Sequence, residues 1–475
     1  MGNKFHKAKH TLVLSDIHLT IAQPERPRRP LWKRFNRKEF FIDDRFAVLL
    51  AQATENLKKD IELILAGDIF DFDSVVTIPP NPTFAVSWLE KKRGLNSEEP
   101  KSLYKIDLII QNHPIFFQAL RDFLQAGNKL VFIIGNHDIE LHWPSVKQRI
   151  IDNLVLEDSQ KELVRFCNWF YISNSDTLVE HGNQYDPYCS VINPINPLYR
   201  RPSATFLRVP FGNLVHRYMI NGMGIFNPHV DTTYLLSFGG YLRFYVNTIR
   251  TQPFLIFDWL FGAIATWVVS IRDSIMPRIK NPLTLEAQIE DIAQKANAEP
   301  SMVRTLRELQ AHPVSWDIIK IMRILWLDRA LLFLLLVFCA FQFVGLMHIF
   351  WGVSFGWALL VLLAFTPLYL LYVHNLETIR PVTKFAISKQ IVTLATQITK
   401  TERMICGHTH APTHKIISEV EYINAGYWSP SFKDPNCSVF EKNRSFVWIR
   451  PGFRKREAKL LFWDDRASLE NPFEI

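Results

Sequence analysis

The stretch Leu130-Val131-Phe132-Ile133-Ile134-Gly135-Asn136-His137-Asp138 decides the fold. Its apolar half reads as a buried strand, and its polar half is delivered just past that strand's C-terminal end. The same arrangement recurs on both sides of it. Thr11-Leu12-Val13-Leu14 leads to Asp16-Ile17-His18, Leu63-Ile64-Leu65-Ala66 to Gly67-Asp68, Thr177-Leu178-Val179-Glu180 to His181-Gly182, and Met404-Ile405-Cys406 to Gly407-His408-Thr409-His410. One Asp-x-His or Gly-Asp alone is usually a turn or a satisfied polar residue. Five such clusters, each behind a short apolar run, are not explained that way. Strands of this kind fit a sheet covered on both faces, and residues past their C-termini can converge on one edge. Imidazole, carboxylate and amide oxygen without thiolate suit Mn²⁺, Fe²⁺, Zn²⁺, Co²⁺ or Mg²⁺.

In order and residue type the five clusters resemble the signature of the calcineurin-like metallophosphoesterase superfamily, over about residues 10–185 and 400–450. The resemblance implies an α/β fold, a four-layer α-β-β-α sandwich, and two divalent metal ions, with Mn²⁺ the first choice. It assigns the first metal to Asp16, His18, Asp68 and His410. The second goes to Asp68, Asn136, His181 and His408, with Asp68 bridging. His137 would act on the substrate, stabilising the transition state or protonating the leaving group, and Asp138 would orient it. The residue chemistry agrees. A carboxylate can bridge two cations, a neutral amide leaves the second cation more charge, and an imidazole suits proton transfer. Asp71 is read either as orienting a ligand histidine or as a solvated turn acid.

Composition separates the chain from a plain soluble phosphatase. Of 475 residues, 48% are hydrophobic and 13% aromatic, and Ala330 to Leu376 contains no Asp, Glu, Lys or Arg. That run is close to two membrane crossings of about 20 residues each. A break near Met347–Ser354 suggests a helical hairpin, from Ala330 to roughly His348 and from Val353 to roughly Val373. Pro367 is tolerated in a membrane helix. The competing reading is a pair of buried core helices. Because His408 and His410 follow this run while the other site residues precede it, the number of crossings must be even. Arg323, Arg329, Arg380 and Lys384 flank the run, which places both flanks in the cytoplasm. The expected location is the inner (cytoplasmic) membrane, with the catalytic part facing the cytoplasm.

Phe254 to Ile271 is also apolar but interrupted by Asp258. It reads either as an interfacial helix or as a buried helix of the insert. Residues 26–38 mix cations with Trp32 and Phe35, and part of the +8 net charge gathers there. Such an arm suits an anionic lipid surface and equally nucleic acid or a nucleotide substrate; the membrane hairpin elsewhere favours the lipid surface, and a solvated loop is the plain alternative. Five dispersed cysteines fit a reducing compartment, and Met1–His6 shows no apolar signal core.

The chain divides into a first core part, 1–190, a mainly helical insert, 191–385, with the membrane hairpin at 330–373, and a second core part, 386–475. Helical spacing is expected at Asp44–Lys58 and Lys105–Ala126, and a polar helical stretch near Leu283–Leu309 is assigned to the insert. Within the superfamily the chain looks most similar to enzymes related to UDP-2,3-diacylglucosamine pyrophosphatases, which carry a helical insert in the same place. Those typically have Arg where this chain has His137. The expectation is a membrane-anchored phosphoesterase acting on a phosphate, phosphodiester or pyrophosphate bond of a lipid-linked substrate. A soluble nucleotide or phosphoprotein phosphatase and a non-catalytic membrane scaffold are the alternatives. The sequence does not specify an oligomeric state.

Overall fold

The computed structural model describes residues 5, 7–27, 29–58, 60–200, 204–225, 243, 245–249, 252–275, 282–375, 387–434, 437–441 and 444–463. Arg28, Arg380 and Lys384 lie outside them. Two sheets carry the architecture. The first has six strands in the order Glu457–Trp463, Arg444–Arg450, His10–Leu14, Ile61–Ala66, Lys129–Ile133 and Val164–Cys167. The second has five, in the order Thr413–Ile417, Val420–Asn424, Arg403–Cys406, Thr177–Glu180 and Phe170–Ser173. The strands that precede the polar clusters are paired parallel within each sheet, for instance Leu12 with Leu63, Leu63 with Leu130, and Leu178 with Met404. Their C-terminal ends therefore open on one edge.

Period-two alternation sorts the side chains between layers. Val13, Ile64, Val131, Val179, Ile405, Ile423 and Val447 point between the sheets and form one core. Leu12, Leu63, Leu65, Leu130 and Phe132 point outward, against the helices Asp43–Leu57, Glu99–Asn112 and Pro114–Gln125. The single helix expected over Lys105–Ala126 is two. The chain breaks at His113 because the residue before Pro114 is excluded from the helical region. Buried His113 is pinned there by Asp43, 2.9 Å from its Nδ1.

The second sheet is covered by Pro282–Lys295, Pro300–Arg307 and Lys389–Thr399. The first two lie inside the segment assigned to the insert. They nevertheless pack Ile289, Ile292, Val303 and Leu306 against Phe170, Leu178 and Met404. In packing they close the fourth layer of the sandwich, and their polar sequence is that of a helix with only one covered face.

The described rest of the insert includes a helical segment 211–223, a long helix Leu255–Ile275, and two antiparallel helices, Leu327–Trp351 and Trp357–Asn375. Gly352, at φ 65°, ends the first of that pair in a left-handed cap, a conformation glycine adopts without the penalty a side chain brings. Leu334, Leu335, Phe338, Ile349, Leu359, Leu363 and Leu368 stand exposed on the pair. Among the described residues two helices, Leu255–Ile275 and Leu327–Trp351, are long and apolar enough to cross a membrane; Trp357–Val373 is apolar but shorter.

Candidate metal centre

Six of the seven side chains assigned to metals gather at the shared strand edge in two clusters, Asp16 with His18 and His410, and Asp68 with His181 and His408; a further group joins His18 and Asp68 to His137. In the first, His410 Nε2 lies 3.0 Å from Asp16 Oδ1, and His18 Nε2 lies 3.4 Å from His410 Nε2. Asp68 faces both. Its Oδ2 is 3.1 Å from His181 Nε2 and 3.9 Å from His18 Nε2. Asp16, His18, Asp68, Asn136 and His181 are buried, while His137, His408 and His410 are half-buried and line the mouth.

Local backbone geometry sets this up. Asp16, His18, Asp68, His408 and His410 have φ between 52° and 68°, a region few non-glycine residues adopt. Each such residue costs of order 1–3 kcal/mol and persists where the surroundings over-determine it. Here the surroundings are the other motifs. Asp16 N–H donates to Gly67 O and His18 N–H to Asp68 O, while His408 N–H donates to Asp16 Oδ2. His137 N–H donates to Asp68 Oδ1 at 2.7 Å. A Cβ on Gly135 would strike Asp68, and one on Gly407 would strike Ser15 and Asp16. These glycines let neighbouring motifs touch.

Two further contacts orient ligand groups. His181 Nδ1 donates to Ala66 O at 3.0 Å, which turns Nε2 toward Asp68. His408 Nε2 lies 3.0 Å from Asp186 Oδ2, a carboxylate–imidazole pair of the kind that fixes which nitrogen faces a cation. Asn136 Oδ1 is buried with no hydrogen-bond partner among the described residues. A buried acceptor left open at a cluster of carboxylates and imidazoles fits a divalent cation, as does the donor set itself.

Asp138 does not stand where it was expected. Its carboxylate accepts from Gly135 N–H at 2.6 Å and Ile69 N–H at 2.8 Å, so it ties two site loops together. Burial and the nearby Asp68 charge lift it to about 7. The acids facing His137 Nδ1 are Asp71, at 3.5 Å, and Asp73, at 3.9 Å. Asp71 is itself held by Ser74, whose N–H and hydroxyl donate to its two oxygens. Burial disfavours a charged imidazole at His137, but Asp68, Asp71 and Asp73 outweigh it and raise the group to about 10.

The sequence reading missed Asp73, Asp186, Asn213, His216 and Arg217. Asp73 follows Asp68 closely and Asp186 follows His181 closely, so proximity was a usable signal for both. Asn213, His216 and Arg217 come from the insert, and nothing local marks them. His216 Nε2 lies 3.1 Å from Ser74 Oγ, and its ring centroid is 5.2 Å from that of His137. The basic arm is docked against the same segment. Lys33 N–H donates to Gly224 O, Trp32 occupies the space a Cβ on Gly224 would need, and Arg26 and Arg29 lie over the Trp32 ring at 4.7 and 5.4 Å.

Residues 9–208 match the model of the calcineurin-like phosphoesterase family. That family implies metal-dependent phosphoester hydrolysis with two divalent ions, and the His/Asp clusters are candidate sites for them. No curated protein matches the chain at a significant level.

Proposed function

We propose that the chain is a membrane-anchored, dinuclear-metal phosphoesterase that hydrolyses a phosphate, phosphodiester or pyrophosphate bond of a lipid-linked substrate at the cytoplasmic face of a membrane. The observation that carries the reaction class is the convergence of Asp16, His18, Asp68, Asn136, His181, His408 and His410 on one strand edge, from both sides of the insert. Asp16, His18, Asp68 and His410 would hold one ion, and Asp68, Asn136, His181 and His408 the other. Two divalent ions would supply positive charge against the phosphoryl oxygens and acidify the attacking water. His137, protonated and held by Asp71, is placed to donate to the leaving oxygen. Asp138 keeps the Gly135 and Ile69 backbones in register, and Asp186 steadies His408.

The lipid part of the reading is supported by the exposed apolar pair Leu327–Trp351 and Trp357–Asn375. So large an apolar surface on a monomer marks a membrane or partner contact. It is supported also by the apolar outer face of Leu255–Ile275, with Phe257, Ile264 and Val268 exposed. The inner face of that helix packs on segment 211–223, which lines the site. The test is phosphate or nucleotide release by the purified full chain in detergent with Mn²⁺, across glycolipid pyrophosphates, phospholipid monoesters and water-soluble esters. Lipid-linked compounds should be turned over fastest. Hydrolysis of water-soluble esters alone would reduce the helices to an anchor. Two bound metals with no hydrolysis of any compound would leave a scaffold.

A further inference from the structure

We propose that Asn213, on the insert, is a positioning residue that fixes the polarity of the Asn136 amide, so that its oxygen and not its nitrogen faces the second metal position. The proposal rests on the two-metal reading above. An asparagine used as a metal ligand has a wrong way round. Its NH₂ and its oxygen are nearly equal in size, and only the oxygen attracts a cation.

The structure resolves that ambiguity through a chain of four groups whose direction is set at one end. Arg217 can only donate, and its Nε and Nη2 lie 3.1 and 2.6 Å from Asp73 Oδ1. Asp73 Oδ2 can then only accept, and it does so from Asn213 Nδ2 at 2.7 Å. The same Nδ2 donates to the Asn136 backbone carbonyl oxygen at 3.0 Å. Asn213 must therefore turn its Oδ1 outward, where it accepts from Asn136 Nδ2 at 3.2 Å. The end of the chain is Asn136 Oδ1, buried and without a hydrogen-bond partner among the described residues. Arg217, Asp73 and Asn213 are each at most 3% exposed, so solvent does not scramble the order.

Asn213 and Arg217 are four residues apart on one helical segment and so share a face. The segment carries a π turn at His216–Ile220 and is braced from behind by Leu255–Ile275. Gly262 of that helix lies against the backbone of Tyr218 and Met219, too close for any side chain. The insert thus completes the metal centre as well as covering it.

The test is a double-mutant cycle on the full-length protein in detergent, stripped with chelator and titrated with Mn²⁺ by calorimetry. Asn213→Ala should weaken one of the two Mn²⁺ sites by about 10–100-fold and leave the other within about threefold, the size expected for losing a group that orients a ligand. Asn136→Asp replaces the amide by a carboxylate, which has no wrong end. In that background Asn213→Ala should cost less than about threefold, because there is no polarity left to set. Equal losses in both backgrounds would mean a merely structural role and overturn the proposal, as would no loss in the native background. Should the alanine variant not fold, Asn213→Ser fills more of the site, lacks the fixed acceptor, and gives the same cycle. If the unsubstituted protein binds only one Mn²⁺, the two-metal reading itself fails, which is a different outcome from either loss pattern.

Discussion

His137 is bracketed by three carboxylates, and that environment defines what it can do. Burial opposes its charge, while the neighbouring Asp68, Asp71 and Asp73 carboxylates raise it to about 10 in the metal-free site. The proton-donor role proposed for it rests on its place beside Asp71 at the mouth of the site. His137→Ala should lower kcat by about 10²–10⁴ while the metal content by elemental analysis stays at the wild-type value, provided the ions sit in the Asp16–His18–His410 and Asp68–His181–His408 clusters and not in the group His18, Asp68 and His137 also form. Loss of metal together with activity would make His137 a ligand. At this scale the sequence told residue types well and partners poorly. Asp138 follows His137 directly, and the family resemblance implied that it would orient the ring. The chain turns between them, so the carboxylate reaches Gly135 and Ile69, and the facing acid comes from Asp71. Which side chain a residue meets depends on turns whose backbone angles no motif spells out.

Elements were more legible where the signal was local. Each apolar run ahead of a motif is a strand, because continuous burial on both faces leaves a plain sequence trace. The glycines inside the motifs carry a second message that only contacts reveal. Gly407 does not need a left-handed angle, and yet a Cβ there would run into Ser15 and Asp16 across the gap between two sheets. Gly407→Ala should push the His408–His410 loop off Asp16, destabilise the metal-free protein by about 1–3 kcal/mol in denaturant unfolding, and weaken metal uptake in parallel. Unchanged unfolding midpoint and unchanged metal content would show that the two loops are not in the close contact described. The 211–223 segment was illegible for the opposite reason. Asn213 and Arg217 meet Asp73 and Asn136, which lie far back in the sequence, so an aromatic stretch of the insert gave no hint of these contacts.

The whole molecule joins a sandwich, closed by site residues from both ends of the chain, to an apolar helix pair that leaves it and returns. The helices of 25 and 19 residues are about 37 and 28 Å long, close to a hydrocarbon core of about 30 Å. At the foot of the pair Asp328 and Arg329, in the first turn of Leu327–Trp351, are buried and paired, and Tyr372 OH, near the end of Trp357–Asn375, lies 3.2 Å from Asp328 Oδ2. The start of the first helix and the end of the second are therefore adjacent. A linker of only a few polar residues can replace 330–373 without pulling on either flank. Such a variant should lose resistance to carbonate extraction and keep hydrolysis of a water-soluble phosphoester within about threefold, because the candidate ligands and Asn213 all lie outside the deleted part. Hydrolysis of a lipid-linked ester should fall further, since the substrate and the enzyme would no longer share a surface. A variant that still resists extraction would move the anchor to Leu255–Ile275, whose inner face holds segment 211–223 and whose outer face is apolar. A variant that fails to fold would return the helix pair to the core of the protein, against the exposure of Leu335, Phe338, Leu359 and Leu363.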